Sequence, residues 1–233
     1  MRLHILYRLC DKENPTVKRP DWYSKVRCYV SLSRRLRDTP ASLANVDTTI
    51  ILDGAMPSWM ENPPRIIALT EGGKDKSMLQ CYQEALGYQD EDWVYFVEDD
   101  YMHEWDALPK LLHCIEDVKP DLVSLYDHPD RYKDLPEHNL TQGHNDIYVS
   151  RDHHWRTIPS TCMTFACSVR VLKDNRELFE EWKHVDFELF PRLLGLKGDR
   201  PKHYLMVGAI PSLATHCQEG YLAPMTEWYG KWT

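Results

Sequence analysis

The sequence predicts an α/β protein built on an open sheet of parallel strands. Short apolar runs, each with the length of a buried strand, alternate along the first half with segments of helical periodicity. Strands that alternate with helices pair in parallel, because each helix carries the chain back to the starting edge of the sheet. The predicted strands of this half are residues 3–9, 48–53, 65–69, 93–97 and 121–125.

Three apolar stripes at helical spacing lie between these strands. The first covers 22–36. The second covers 78–86 and stops at Gly87, a residue type that commonly follows the last turn of a helix. The third covers 108–118 and ends before Pro120, which cannot continue a helix. The stripes therefore predict one helix in each of these segments.

The second half is less regular. Residues 126–161 are polar and without clear periodicity, so we expect a loop that closes over bound substrate and excludes water. Trp155 either stacks on a bound ligand there or packs in the core. The histidines of this segment lack the HExxH spacing of a zinc site; they are His128, His138, His144, His153 and His154. Further strands are predicted at 162–167 and 203–207, and helices at 174–183 and 186–195.

The composition argues against several classes of protein. The 233 residues include 36 acidic and 28 basic side chains, which gives a net charge of −8. Because phosphate contacts need an excess of Lys and Arg, a nucleic-acid coat and a binder of anionic membranes are both disfavoured. No apolar run is long enough to span a bilayer, no signal-peptide core is present, and the seven cysteines form no CxxC pair. We therefore expect a cytoplasmic protein with reduced thiols.

Three consecutive acids, Glu98, Asp99 and Asp100, follow the predicted strand 93–97. In open α/β sheets, ligands bind beyond the carboxyl ends of the strands, so a site is expected here. If the strand continues, Glu98 and Asp100 point to one side and Asp99 to the other. Two carboxylates on one side suit Mg²⁺ or Mn²⁺, which takes its remaining ligands from substrate phosphates and water. The alternative is a solvated turn that caps the next helix.

Six segments resemble, in order, patterns of the GT-A glycosyltransferases. VYFVEDDYMHEWDALPKLL resembles their DxD-bearing strand and the helix that follows it. HILYRLCD and TTIILDG resemble the first two strands, and GGKDKSMLQCYQEALGY resembles the helix that lines the donor pocket. HVDFELFPRLLGLKG resembles the segment that begins with the catalytic acid, and PSLATHCQ the late segment that supplies a histidine ligand. The resemblance implies a single GT-A domain over 1–233, with a mixed central sheet flanked by helices. Residues 1–100 would bind the nucleotide-sugar and 101–233 the acceptor.

The resemblance also implies a metal site at the triplet. Glu98 and Asp100 would hold Mn²⁺ or Mg²⁺ on the donor diphosphate, with Asp99 close to the donor. His216 would complete the metal shell, since a neutral imidazole binds Mn²⁺ alongside carboxylates. A purely structural role is the alternative for His216, as it is for any lone histidine.

The acid that the resemblance assigns as catalytic is Asp186. As a general base it would take the proton from the acceptor hydroxyl, and the anomeric configuration would invert. Its alternative role is to cap a helix, because Asp is a favoured N-cap residue. Pro191 implies that this helix begins late or kinks. Glu188 is the second candidate for the base.

Three further residues are expected to contact the donor. Lys76 lies near a helix start after two glycines, where its charge and the helix dipole would neutralise the diphosphate. Lys74 is the less favoured choice, and both are alternatively ordinary surface lysines. Asp53 ends the second predicted strand and would lie near the base or ribose. Arg8 would contact the base or a phosphate, unless it is a surface charge at a strand end.

Together these features predict a metal-dependent, inverting glycosyltransferase. It would move a sugar from a UDP- or GDP-linked donor to a hydroxyl of a glycan or glycoconjugate. One alternative is a sugar nucleotidyltransferase, which carries a Gly-rich basic loop after its first strand; this chain has LCDKENP there. The other alternative is a non-catalytic carbohydrate-binding protein. It would account for the eight tryptophans but would not need three acids at a strand end.

Overall fold

The computed structural model describes residues 1–38, 45–133, 145–201 and 204–228. Its strands are β1 (Arg2–Cys10), β2 (Asn45–Asp53), β3 (Arg65–Ala68), β4 (Trp93–Glu98), β5 (Tyr101–His103), β6 (Leu122–Ser124), β7 (Ile147–Ser150), β8 (His153–Thr157), β9 (Phe165–Ser168), β10 (Met206–Ile210) and β11 (Ala214–His216). Its α-helices are α1 (Lys25–Asp38), α2 (Lys74–Ala85), α3 (Ala107–Asp117), α4 (Val169–Asp174), α5 (Arg176–Glu181) and α6 (Asp186–Leu193).

In the described residues one nine-stranded sheet has the order β3-β2-β1-β4-β9-β6-β10-β8-β7. β1 pairs in parallel with β2 and β4, and β2 pairs in parallel with β3. The other half mixes directions, because β9 runs antiparallel to β4 and β6, and β8 runs antiparallel to β10. The predicted mixed central sheet flanked by helices is confirmed.

Both faces of the sheet are covered by helices. Leu3, Ile5 and Tyr7 of β1 are fully buried on the face covered by α1 and α3. Leu6 of the same strand is buried on the opposite face, against α2 and α4 to α6. Burial on both faces explains why β4 is a continuous apolar run over 93–97 rather than an alternating one.

The segment 126–161 is not an irregular loop throughout, because β7 and β8 form an antiparallel hairpin at one edge of the large sheet. Trp155 on β8 is fully buried, and its indole N–H donates a hydrogen bond to the Ser150 hydroxyl at 3.0 Å. Trp155 is therefore a core residue, and stacking on a sugar is ruled out for it. Residues 134–144, with two of the histidines noted above, lie outside the described residues.

The parallel strands bring their carboxyl ends to one edge of the sheet. Cys10, at the end of β1, lies opposite Asp53 of β2, and Arg8 lies opposite Glu98 of β4. This register places residues from three strand ends side by side, where ligands bind in open α/β sheets. None of the helices in the described parts of the chain combines the length and apolar character that crossing a bilayer requires.

The buried imidazole of His103, at the end of β5, gives the fold a pH-sensitive element. Its Nε2 lies 2.8 Å from the Tyr95 hydroxyl, and its backbone N–H donates to the Ser31 hydroxyl at 3.0 Å. Burial lowers the pKa of His103 from 6.5 to about 3. The unfolded chain therefore binds a proton at a pH where the folded chain does not, and stability falls as pH drops below 6.5.

We expect His103 to remove about 2 to 3 kcal/mol of the free energy of unfolding between about pH 7 and about pH 4.5. Urea unfolding of the wild-type protein and of His103→Gln at both pH values measures this contribution. Acidic groups titrate in both proteins, so the difference between the two pH dependences isolates the histidine. Parallel pH dependences in the two proteins would show that His103 is not held neutral by burial.

Candidate active site at the carboxyl edge of the sheet

A cavity of about 200 Å³ opens at this edge of the sheet. The lining residues come from the ends of β1, β2 and β4 and the start of α2: Arg8, Leu9, Cys10, Asp53, Lys74, Ser77, Glu98, Asp99 and Asp100. The fold thus brings together Arg8, Asp53 and the whole acidic triplet, which are far apart in the sequence. A polar cleft with both signs of charge suits an anionic ligand that carries or accepts a cation.

The acidic triplet does not continue the strand. β4 ends at Glu98, and Asp99 and Asp100 form a turn that leads into β5. The expectation that Glu98 and Asp100 share one side of an extended strand is therefore wrong, because the strand ends at Glu98 and a turn follows where alternation was assumed.

Each acid of the triplet forms an ion pair with a basic side chain of its own. Arg8 Nη2 lies 2.7 Å from Glu98 Oε1, and Lys25 Nζ lies 2.9 Å from Asp99 Oδ2. Arg19 Nη2 lies 2.9 Å from Asp100 Oδ2. These cations offset the repulsion that three adjacent carboxylates would otherwise suffer. We call Arg8, Arg19 and Lys25 the counter-cations of the triplet.

Glu98 and Asp99 are also fixed by neighbouring groups. The Thr164 hydroxyl donates to Glu98 Oε2 at 3.3 Å and accepts from the Glu98 backbone N–H at 3.0 Å. Asp99 Oδ2 accepts a hydrogen bond from the Cys10 N–H at 2.9 Å. Burial raises the pKa of Asp99 to about 6, although the charge of Lys25 opposes the rise.

His216 reaches the triplet through the small second sheet. β11 pairs antiparallel with β5, so that His216 lies opposite Tyr101 and its ring stacks on the Tyr101 ring. His216 Nε2 donates to Asp100 Oδ2 at 3.0 Å. Burial lowers the pKa of His216, but the hydrogen bond and charge of Asp100 outweigh it and the net shift is upward. Burial raises the pKa of Asp100, yet His216 and Arg19 bring it down to about 2.

The residues around the triplet fit a divalent cation only if substrate phosphates supply most of its ligands. No group of three or more His, Cys, Asp or Glu side chains in the described residues is arranged to hold a metal ion. Asp100 Oδ1, however, is buried and has no hydrogen-bond partner in the described part of the chain, whereas Asp100 Oδ2 contacts His216. Mg²⁺ and Mn²⁺ commonly use one or two protein ligands when substrate phosphates supply the others. Asp100 and His216 fit such a site; Glu98, the third predicted ligand, lines the same cavity but pairs with Arg8.

The end of β2 is tied to the start of α2. Asp53 Oδ2 accepts a hydrogen bond from the Gly73 N–H at 2.8 Å. Gly73 has a φ of 126°, and a Cβ on Gly72 would lie 2.2 Å from Asp53 Oδ1. Gly72 therefore permits the close approach of this loop to Asp53, and Gly73 permits the positive φ at the helix start. The arrangement points the N-terminus of α2, where Lys74 is the first residue, toward the cavity.

The structure separates the two candidate lysines. Lys74 lines the cavity with the acidic triplet. Lys76 lines a different cavity, pairs with Glu71 at 3.3 Å and has a side chain that is 58% exposed. The geometry thus puts Lys74, and not Lys76, where it can meet a diphosphate.

Asp186 is the first residue of α6, and Val185 is the N-cap, so Asp186 does not have the capping role considered above. Its Oδ1 accepts from the Phe187 N–H at 2.7 Å. Burial raises the pKa of Asp186; the charge of Glu98 adds to the rise and that of Lys74 opposes it. Asp186 does not line the cavity itself, but it is near enough for these two lining residues to influence it.

Glu188, the second candidate for the base, is held by two cations. It pairs with Arg192 at 2.9 Å and with Lys197, and these contacts lower its pKa. A carboxylate engaged in this way is a poor proton acceptor. Pro191 lies inside α6. The helix nevertheless begins at Asp186, so the proline does not delay its start.

Arg19, Lys25 and Thr164 were not identified from the sequence. Lys25 was read as a polar position of the first helical stripe, and nothing in the residues before that stripe distinguishes Arg19. Thr164 lies within the predicted strand 162–167 and belongs to no motif. Each becomes a candidate only because the fold places it against one of the three acids.

No protein-family model and no curated protein matches the sequence. Among solved structures, S. aureus TarS 1–349 is 17% identical, with a TM-score of 0.51 over 88% of this chain and 60% of that one. The complex of TarS 1–349 with UDP-GlcNAc is 16% identical, with a TM-score of 0.50 over 89% of this chain and 58% of that one. The longer TarS structure is 16% identical, with a TM-score of 0.52 over 88% of this chain and 36% of that one.

The chain spans about three fifths of the length of TarS 1–349, and TarS is a glycosyltransferase. At this level of identity the likeness establishes the fold alone. The protein shares its fold, a large mixed sheet flanked by helices, with TarS 1–349.

Proposed function

We propose that this protein transfers a sugar from a nucleotide-sugar donor to a hydroxyl of a carbohydrate or glycoconjugate acceptor. The observation that carries the proposal is the cavity at the strand ends, where Lys74 and the acidic triplet line one polar cleft. The fold match to TarS, whose structures include complexes with UDP-GlcNAc and with UDP, supports it. A UDP-linked donor is the first choice to test, followed by a GDP-linked one.

In this proposal residues 1–100 bind the donor and 101–233 bind the acceptor. The diphosphate lies near the N-terminus of α2, where the Lys74 ammonium and the helix dipole offset its charge. Asp53 holds the loop that shapes this end of the cavity. Arg8 pairs with Glu98 and lines the cavity, where it would contact the base or a phosphate of the donor.

Asp100 and His216 would hold Mn²⁺ or Mg²⁺, with the donor diphosphate as the other source of ligands. A bound cation stabilises negative charge on the departing nucleoside diphosphate. Glu98 pairs with Arg8 and Asp99 pairs with Lys25, so the charges beside the proposed metal site are balanced. Metal dependence is thus part of the proposal.

Asp186 would act as the general base. The acceptor oxygen attacks the anomeric carbon, the bond from that carbon to the diphosphate breaks, and the hydroxyl proton passes to the Asp186 carboxylate. Attack from the face opposite the leaving group inverts the anomeric configuration. The raised pKa of Asp186 supports this role, because it makes the carboxylate a better proton acceptor.

Two lysine variants test donor binding. We expect Lys74→Ala to weaken UDP binding about tenfold, because it removes a cation from the cavity, and Lys76→Ala to leave it unchanged. Isothermal titration with UDP and Mn²⁺ measures both, and slow hydrolysis of UDP- and GDP-sugars tests for activity. Equal effects of the two variants would contradict the placement of the diphosphate.

The same assays distinguish the two alternatives. A sugar nucleotidyltransferase would consume a nucleoside triphosphate and release pyrophosphate. A carbohydrate-binding protein would bind sugars without binding UDP. Either outcome would overturn the proposed transfer reaction.

A further inference from the structure

Arg19 pairs with the Oδ2 side of Asp100, beside His216, and we infer that it competes with a divalent cation for this carboxylate. Arg19 Nη2 lies 2.9 Å from Asp100 Oδ2, the oxygen that also accepts from His216. Its Nη1 donates to the Cys217 carbonyl at 2.9 Å, and its guanidinium lies 4.7 Å from the centre of the Tyr23 ring. Arg19 thus contacts the carboxylate of Asp100 and the backbone of the residue after His216.

The charge balance around the triplet explains why the position of Arg19 matters for metal binding. The three carboxylates are matched one to one by the three counter-cations. A divalent cation that binds Asp100 therefore enters a site already neutralised by Arg19, where like charges repel. Metal binding and the Arg19–Asp100 ion pair are in competition for the same carboxylate.

Among the counter-cations, Arg19 is the one that can leave. Lys25 Nζ donates to the carbonyls of Cys10 and Lys12, at 2.6 and 2.9 Å, in addition to its contact with Asp99. Arg8 is 7% exposed and lies within β1. Arg19 instead belongs to the connection before α1, and its side chain is 19% exposed.

We propose that Arg19 is a built-in competitor of the divalent cation, which pairs with Asp100 in the metal-free protein and is displaced when the cation binds. The proposal rests on the proposed metal site at Asp100 and His216. It implies weak cation binding in the absence of nucleotide. The favourable free energy of binding the cation to Asp100 is reduced by the loss of the Arg19 ion pair. A diphosphate that brings further ligands would shift the balance toward the metal.

Titration with Mn²⁺ in the absence of nucleotide, followed by electron paramagnetic resonance of the free ion, tests the proposal without an activity assay. We expect Arg19→Gln to bind Mn²⁺ about tenfold more tightly than the wild-type protein, because the competing charge is gone. Lys18→Gln is the matched control, since it removes the same charge from the exposed neighbouring residue and should leave the affinity unchanged. Arg19→Lys keeps the charge and should stay close to wild type.

The outcomes separate the two hypotheses. If the wild type and Arg19→Gln bind Mn²⁺ equally, Arg19 is not a competitor, although the metal site stands. An equal gain in Lys18→Gln would show only a general charge effect and would also overturn the proposal. If neither the wild type nor Arg19→Gln binds Mn²⁺, with or without UDP, the metal site itself is wrong while sugar transfer remains testable.

A measurement on the wild-type protein covers the case in which Arg19→Gln does not fold. Addition of Mg²⁺ with UDP should move the ¹⁵N resonance of the Arg19 Nε–H, which is assigned by its loss in Arg19→Lys. UDP without Mg²⁺ is the control for nucleotide binding alone. A resonance that stays in place when Mg²⁺ saturates the protein would overturn the displacement.

Discussion

Replacement of Asp186 by Asn is expected to lower kcat for sugar transfer by about a thousandfold, because the variant has no carboxylate to take the acceptor proton. The affinity for UDP should remain nearly unchanged, since Asp186 does not line the cavity that we assign to the donor. Initial rates at saturating donor and acceptor, together with UDP titrations, measure the two effects separately. Wild-type turnover in Asp186→Asn would reject it as the base.

A matched control tests whether the loss of one negative charge elsewhere lowers kcat. Glu181→Gln removes one negative charge from an exposed position at the end of α5 and should leave kcat unchanged. Glu188→Gln serves a different purpose, because it breaks the contacts with Arg192 and Lys197 and should affect stability more than chemistry. A larger loss of kcat in Glu188→Gln than in Asp186→Asn, with both proteins folded, would move the base to Glu188.

Replacement of Asp100 by Asn is expected to weaken UDP binding in the presence of Mn²⁺ by about a hundredfold, because the proposed metal loses its charged ligand. In this variant EDTA should make no further difference to UDP affinity. The comparison is the wild-type protein, in which EDTA should lower the affinity. Binding that is equally strong with and without EDTA in the wild type would remove the metal from the proposed mechanism.

The control for Asp100→Asn is Glu91→Gln. Glu91 is exposed and precedes β4, so it lies at the opposite end of the same strand from the triplet. Arg19 loses its ion-pair partner in Asp100→Asn, so the melting temperature of both variants must be recorded. A folded Asp100→Asn protein with wild-type, EDTA-sensitive UDP binding would contradict the assignment of Asp100.

The succession of strands and helices along the first half could be predicted because it depends on local patterns. An apolar run such as that of β4 is long enough for a buried strand, and the helical stripe before it forces a crossover. The hairpin of β7 and β8 was missed for the opposite reason. Its exposed Ile147 and Val149 share one strand of four residues, too short to show a period among polar neighbours.

The candidate site, like the fold, could be predicted only in part from the sequence. That Glu98 ends a strand at the binding edge follows from sequence alone, because strand direction fixes which end faces the ligand. That Lys74 rather than Lys76 lines the cavity does not, because residues two apart on a helix face different directions. The two lysines look equivalent in the sequence, but only Lys74 lines the cavity of the acidic triplet.

The sequence by itself determined the alternating strands and helices, the parallel half of the sheet and the place of the acidic triplet at its carboxyl edge. Only the tertiary structure decided which cation pairs with which acid, and that His216 and Arg19 meet at the same oxygen of Asp100. The physical reason is distance along the chain. Periodicity reports the local burial of a segment, whereas Asp100 and His216 are 116 positions apart and meet only after β5 and β11 have paired.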